Sequence, residues 1–259
     1  MDFLLECIGF PPHTDLAELA RRIRREGERV ALRGPSGEHL RIPFPGGLEV
    51  RLDRDAGQEH DSLLPHFESH HRLRVGVERL ERVPDSPCDV LLRGRANPPA
   101  PDDPWREPEE YPLATYLWDA RQLPRHLPAG HVLALSLAGF ALDVSFVGPS
   151  GSRGTLEFEE GLAALRPIEG ADEPGGCMEL ALPVRAIHHL SNPLTHEPIE
   201  QVDVEAPGRP LDLFLSRWQL EAHKLPAPRP GWILEGVFLF TGRIAGGLPP
   251  RRRGARVLS

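Results

Sequence analysis

The chain has 259 residues, which is enough for one large domain or two modest domains with a hydrophobic core. Hydrophobic residues make up 40% of the sequence and charged residues 26%, a balance that predicts a folded protein and excludes a disordered one. The net charge of -8 at pH 7 disfavours a general nucleic-acid-binding protein, because recognition of phosphates needs a basic face.

The cysteines and the apolar runs predict a cytoplasmic protein without a membrane span. Cys7, Cys88 and Cys177 are odd in number and far apart, which suits a reducing compartment better than a disulfide framework. The first ten residues have no basic region and only a very short apolar run, so they make a poor signal peptide. No uninterrupted apolar run approaches the length of a membrane helix.

Residues 1–58 predict a small module with the element order β-α-β-β-β. A strand is expected at residues 3–10, followed by a helix that Thr14 or Asp15 caps and whose apolar stripe begins at Leu16. The next strands are expected at residues 29–33, 39–44 and 48–52, with turns of GPSG at 34–37 and of glycines at Gly46 and Gly47 between them.

This order of elements resembles one module of the vicinal-oxygen-chelate superfamily, which includes glyoxalases and extradiol dioxygenases. In that family, a turn of the type seen at residues 34–37, or at Gly46 and Gly47, precedes a strand that carries a glutamate metal ligand. The matching residue in this chain is Glu49. The other family ligand is a histidine on the first strand, where this chain has Glu6. The resemblance implies a divalent metal near Glu6 and Glu49.

Residues 61–71 predict a short helix or a loop that contains a pair of histidines. His66 and His70 are four positions apart, so on a helix they would share one face and could both bind a metal. The alternative is a solvent-exposed helix between domains, in which neither histidine binds a metal.

The rest of the chain predicts a β-rich body made of two similar halves, residues 59–146 and residues 147–259. Each half contains a strand, a proline turn, a second strand, a PLxxxL segment at 112–117 or 210–215, and a long apolar strand at 130–141 or 231–244. The matched order predicts an internal duplication. The alternative is that any β protein punctuated by prolines produces such echoes. The fold class expected for the whole chain is α+β, dominated by antiparallel sheet.

Three short motifs spread over most of the chain resemble an uncharacterised bacterial protein family. They are the IGF sequence that begins at Ile8, the turn at Asn192 and Pro193, and the pattern G-x-F-x-x-x-GR that begins at Gly236. The resemblance implies a bacterial origin but no known activity, so no catalytic residue follows from it.

Sequence motifs of catalysis are missing, since the chain has no GxSxG elbow, GxGxxG fingerprint, Walker loop or CxxC pair. The first functional hypothesis is therefore a non-enzymatic binding or protein-interaction module without a cofactor, in which Trp118 and Trp218 contribute to an interaction surface. The alternative is a metal-dependent enzyme of vicinal-oxygen-chelate type or a small-ligand binder, using Glu6, Glu49, His66 and His70. Whether the protein is an enzyme, and whether it forms an oligomer, stays open.

Overall fold

A computed structural model of the chain describes residues 3–30, 37–83, 89–99, 109–124, 127–148, 165–168 and 175–249. These residues form two sheets and three short helices, so the predicted β-rich α+β class with mainly antiparallel pairing is confirmed. Within the described ranges, no helix is long and apolar enough to cross a bilayer. Most of the predicted turn at 34–37 and all of Cys88 lie outside the described residues.

The N-terminal region contains two helices and a four-stranded antiparallel sheet in the order β1-β2-β3-β4. Its described elements are α1 (Phe3–Glu6), α2 (Leu16–Glu26), β1 (Glu28–Arg29), β2 (Glu38–Pro43), β3 (Leu48–Arg54) and β4 (Ser62–Phe67), with a 3-10 turn at Pro45–Gly47. Of the two predicted caps of α2 the structure has Asp15, whose carboxylate accepts hydrogen bonds from the amides of Ala17 and Glu18.

Two predicted elements in this region are wrong. Residues 3–10 form a helical turn instead of a strand, because Gly9 takes a φ of 81° and the Phe10 amide donates to the Leu5 carbonyl, which ends α1. Residues 62–67 form the edge strand β4 instead of a helix or loop. Pro65 is tolerated there, since an edge strand leaves one row of its backbone groups unpaired.

The IGF and Asn192 motifs are in direct contact. The Asn192 side-chain amide donates to the Ile8 carbonyl over 2.8 Å, and the Thr195 hydroxyl donates to the Gly9 carbonyl over 2.6 Å. The turn after β10 therefore holds the end of α1 against the body of the protein.

In the residues that the structure describes, the body is a nine-stranded mixed sheet with one short helix. Its elements are β5 (Leu73–Arg82), β6 (Val90–Ala96), β7 (Tyr111–Leu117), β8 (Val132–Val147), β9 (Leu165–Pro167), β10 (Cys177–Ser191), β11 (Pro198–Val204), β12 (Leu211–Leu215), α3 (Arg217–Ala222) and β13 (Ile233–Gly246), with a 3-10 turn at Ala120–Gln122.

The two longest strands, β8 and β13, pair antiparallel from Ile233 opposite Val147 to Gly246 opposite Ala134. We call this pair the central ribbon. On one side, β5, β6 and β7 connect β8 back to β13, and on the other side β12, β11 and β10 do the same. Each set closes into a ring of five strands that shares the central ribbon, which leaves few exposed strand edges.

The two rings are built from equivalent pairings. In each ring, three consecutive strands form an antiparallel meander whose first strand also pairs antiparallel with the long strand of its own half. In each ring, the third strand pairs in parallel with the long strand of the other half. Thus Tyr116 of β7 is opposite Thr241, and Phe214 of β12 is opposite Phe140.

The same irregularities also occur at equivalent places. A bulge inserts Glu78 into β5 opposite β6, and another inserts Arg185 into β10 opposite β11. The carbonyl of the residue before each bulge accepts a hydrogen bond from the turn that precedes the long strand. The Gly130 amide donates to the Val77 carbonyl, and the Gly231 amide donates to the Val184 carbonyl. Both glycines have a positive φ, which a turn of this shape requires.

The N-terminal sheet and the body share one hydrophobic core. Alternate residues of β3 (Leu48, Val50 and Leu52) belong to the same buried cluster as the long strands of the body. Phe67, at the end of β4, makes an edge contact with Phe214 of β12, with ring centroids 4.9 Å apart. The N-terminal sheet extends beyond residue 58 to the end of β4, and residues 68–72 connect it to β5.

Close packing in the central ribbon predicts a large effect of one methyl group. Replacing Gly236 with alanine would place the new Cβ 2.1 Å from the Asp143 carbonyl oxygen, so the backbone of the ribbon must shift. We expect Gly236→Ala to lower the free energy of unfolding by about 2 kcal/mol or more in urea titrations.

The matched control is Gly246→Ala on the same strand. Its Cβ would meet only the Ala134 Cβ, at 3.7 Å, which is an ordinary contact. We expect a change below about 0.5 kcal/mol. Equal effects of the two substitutions would contradict the packing described for Gly236.

Candidate functional site

The predicted metal ligands occupy three separate environments. Glu6 accepts a hydrogen bond from the Ser216 hydroxyl at the start of α3, over 3.0 Å. Glu49 on β3 lies directly opposite His66 on β4, so the structure brings these two predicted residues together. His70 lies beyond the end of β4 and is exposed.

The carboxylate of Glu49 is already engaged by two arginines. Arg41 donates to one oxygen over 2.9 Å, and Arg51 donates to the other. Two guanidinium groups neutralise the carboxylate and repel a further cation, which makes Glu49 a poor metal ligand in this arrangement.

Trp118 is buried between two arginines, so it presents little surface to a partner. Its relative exposure is 5%, and the guanidinium carbon of Arg51 lies 3.3 Å from its ring centroid. Arg243 lies over the same ring at 5.3 Å, and the His66 ring is 5.2 Å away. Cation–π contacts of this kind are strongest where water is excluded. Trp218, on α3, is half-buried.

Arg51 is the most deeply buried charged side chain of this cluster, with 1% of its surface exposed. Burial lowers the pKa of Arg51 to about 10, and the nearby carboxylate of Glu49 opposes that shift. A guanidinium with this pKa is still a cation at neutral pH. The polar face of the N-terminal sheet is therefore joined to the body through a buried positive charge.

The residue after Trp118 ties the end of β7 to the central ribbon. One oxygen of Asp119 accepts hydrogen bonds from the Ile244 amide over 3.0 Å and from the Gln122 side chain over 2.8 Å. Burial raises the pKa of Asp119, and the hydrogen bond from Ile244 opposes this change. The arrangement fixes β13 where Arg243 projects.

A polar cavity of about 700 Å³ lies where the N-terminal sheet meets the central ribbon. Its wall includes the turn at Gly46 and Gly47, the connecting segment 68–72, Ser136 of β8 and Arg243 of β13. Ser136 and Arg243 are opposite each other in the ribbon. The volume suits a small molecule.

The connecting segment 68–72 is held from both sides. The Glu68 amide donates to the Gly47 carbonyl over 2.9 Å, and the Glu68 carboxylate forms an ion pair with Arg243 at 2.7 Å. The Ser69 carbonyl accepts a hydrogen bond from the Ser136 hydroxyl over 3.1 Å. These contacts fix one wall of the cavity through groups of both the N-terminal sheet and the body.

The charge around the cavity is opposite in sign to that of the whole protein. Arg72 and Arg243 line it together with His70, and Glu68 is the one carboxylate among the lining residues that the structure describes. Arg72 is exposed and makes no ion pair with any described residue. The chain as a whole carries a net charge of -8.

The equivalent place in the other half of the ribbon is apolar. Gly130 and Gly231 occupy equivalent turns before the two long strands. When positions are counted from these glycines, Ser136 corresponds to Val237 and Arg243 corresponds to Leu142. The polar cavity is thus a departure from the internal symmetry of the strands.

A second cluster of polar side chains is joined to the cavity wall through Ser69, whose hydroxyl donates to Asp212. His71, Asp203 and Asp212 each offer a ligand atom, and these atoms all lie within 4.8 Å of one another. Among the residues that the structure describes, this is the set of histidine and carboxylate groups that could hold a metal ion, and it contains none of the residues predicted for that role.

Sequence reasoning missed Arg72 in the cavity wall and all three members of the second cluster, His71, Asp203 and Asp212. One signal was present for Asp212, because it is a charged residue in the PLDLFL segment at the position where PLATYL has Ala114. A charge within an otherwise apolar strand is costly unless it is paired or has a function.

No protein-family model, curated protein or solved structure matches this chain.

The different burial of the two arginines that contact Glu49 predicts different effects on stability. Arg51→Ala removes a buried cation and its stacking on Trp118, so we expect a loss of about 3 kcal/mol in the free energy of unfolding. Arg41 is 32% exposed, and we expect Arg41→Ala to cost less than about 1 kcal/mol. Chemical denaturation measures both. A larger loss for Arg41→Ala would contradict the described role of Arg51.

Proposed function

We propose that this protein is a non-enzymatic binding protein whose ligand is a small anionic molecule held in the polar cavity. The observation that carries the proposal is the pair of arginines, Arg72 and Arg243, on the wall of a cavity of about 700 Å³. Arg72 has no carboxylate partner among the described residues, so its charge is available to a ligand.

The electrostatics of the cavity favour an anion over a neutral molecule. Glu68 balances one of the two guanidinium groups, which leaves an excess of positive charge in a partly enclosed space. A cleft lined by one sign of charge focuses the field and raises the local concentration of the opposite ion. Guanidinium groups also match the geometry of carboxylates and phosphates, since they donate paired hydrogen bonds.

Less supports an apolar docking surface for a protein partner. Phe3 and Leu248 are the large hydrophobic side chains that are exposed in the described part of the chain. Interaction surfaces of proteins usually expose a contiguous apolar patch. The burial of Trp118 points the same way.

The vicinal-oxygen-chelate alternative gains no support from its central residue. Its glutamate ligand would be Glu49, and the two arginines that bind this carboxylate would have to move before a metal could replace them.

Two further parts of the proposal concern origin and location. We propose that the two rings arose by duplication of one four-stranded unit. This is supported by the matched bulges at Glu78 and Arg185 and by the matched turns at Gly130 and Gly231.

We also propose a bacterial, cytoplasmic protein. Support for the cytosol comes from its odd number of cysteines.

Anion binding can be tested with defined probes in calorimetric titrations at low ionic strength. The probes are inorganic phosphate and citrate, with glucose as the neutral comparison. We expect saturable binding of at least one anion and none of glucose, and we expect added salt to weaken the binding. Arg72→Gln should lower the affinity for that anion about tenfold, because it removes a charge-assisted contact.

The matched control is Arg82→Gln. Arg82 is an exposed arginine at the far end of β5, whereas Arg72 comes just before its start. We expect this variant to bind like the unmodified protein. If neither anion binds, or if both variants lose affinity equally, the cavity does not have the function proposed here.

A further inference from the structure

We infer that His71, Asp203 and Asp212 form a binding site for a divalent transition-metal ion. The inference does not depend on the anion site, because it uses different side chains and a different ligand. The register of two neighbouring strands of the body brings the two carboxylates together.

Two carboxylates face each other in this register. Asp203 of β11 lies directly opposite Asp212 of β12, and like charges in that position destabilise a sheet unless something neutralises them. Asp212 is 3% exposed, so water screens its charge poorly. One oxygen of Asp203 is also fully buried and has no hydrogen-bond donor among the described residues.

The electrostatic cost falls on Asp212. Burial raises the pKa of Asp212, and the neighbouring carboxylate of Asp203 adds to the shift, while hydrogen bonds from Ser69 and Gln201 oppose it. A cation placed between the two carboxylates would remove both penalties.

His71 supplies a third ligand from a different element. It belongs to the connecting segment 68–72, and its backbone amide donates to the Ser69 hydroxyl over 2.9 Å. The same hydroxyl donates to Asp212, so the segment that carries the imidazole is attached to one of the carboxylates.

Neighbouring donors hold the carboxylates in place. Gln201 donates to the other oxygen of Asp212 over 2.8 Å, and the His188 ring lies 3.2 Å from the remaining oxygen of Asp203. Hydrogen bonds of this kind around metal ligands set their orientation and typically influence affinity strongly. Both oxygens of Asp212 and one oxygen of Asp203 are therefore held by hydrogen-bond partners, and the second oxygen of Asp203 has no donor among the described residues.

The ligand set selects the class of metal. One imidazole and two carboxylates suit Zn²⁺, Mn²⁺ or Fe²⁺, whereas Ca²⁺ and Mg²⁺ prefer sites made entirely of oxygen ligands. Three protein ligands would leave room for water or a small molecule in the remaining coordination positions.

The test is calorimetric titration of the untagged full-length protein, freed of metal by a chelator, with ZnCl₂, MnCl₂ and CaCl₂. We expect one saturable site for Zn²⁺ or Mn²⁺ and much weaker binding of Ca²⁺. Asp203→Asn and His71→Ala should each lower the affinity at least about tenfold, since even indirect partners of a metal contribute about 10- to 100-fold.

His189→Ala provides the control for adventitious binding to surface imidazoles. His189 follows His188 on β10, projects from the opposite face of the strand and pairs with Glu200 at 2.9 Å. We expect this variant to bind the metal as the unmodified protein does.

Melting temperatures separate loss of the site from loss of the fold. In chelator, Asp203→Asn should melt no lower than the unmodified protein, because an amide opposite Asp212 relieves the repulsion. Adding metal should raise the melting temperature of the unmodified protein but not of either variant. The inference is wrong if the metal-free protein binds no metal, or if Asp203→Asn and His71→Ala bind it with unchanged affinity. A proton on Asp212 would then relieve the repulsion in place of a metal ion.

Discussion

The antiparallel pairing of β8 with β13 is the constraint on which the rest of the structure depends. Each long strand uses one edge for its partner and divides the other edge between a strand of its own half and a strand of the other half. Neither ring can close without the central ribbon. The ribbon must therefore be apolar on both sides for most of its length and must contain small residues where layers approach closely. A Cβ on Gly139 would lie 2.6 Å from a methyl group of Leu213.

The same constraint explains why the polar end of the ribbon, where Ser136 lies opposite Arg243, points to a functional site. A ribbon buried on both sides tolerates a charge only where that charge is paired or faces a ligand. Arg243 interrupts the apolar sequence of β13, and it contacts Glu68 of the connecting segment and the face of Trp118. The N-terminal sheet docks against this end through Arg51, which stacks closely on the same indole. The cavity is thus built where the N-terminal sheet, the connecting segment 68–72 and the central ribbon meet.

The long strands could be predicted from the sequence because apolar runs bounded by glycine and proline leave few alternatives. The order of the strands in each half was also readable, since PLATYL and PLDLFL occupy equivalent places in β7 and β12. Residues 3–10 were misassigned because a short apolar run fits a strand or a buried helical turn equally well. The backbone of Gly9, which ends α1, decides between them.

The candidate sites could not be predicted, for a physical reason. Arg72 and Arg243 come together only because β4 leads into the connecting segment at the polar end of the ribbon. Asp203 and Asp212 face each other only in one strand register, and a shift of one residue would turn one of them to the other face. Register depends on how the whole ring closes, which short-range patterns do not specify.

The measurement that tests the central claim most directly is anomalous diffraction from crystals grown with selenate and without other oxyanions. Selenate is a tetrahedral dianion whose selenium atom can be located without reference to a ligand model. The account predicts a strong selenium peak in the cavity, within hydrogen-bonding distance of Arg72 and Arg243. Peaks confined to exposed arginines elsewhere, such as those of α2, with none in the cavity, would contradict it.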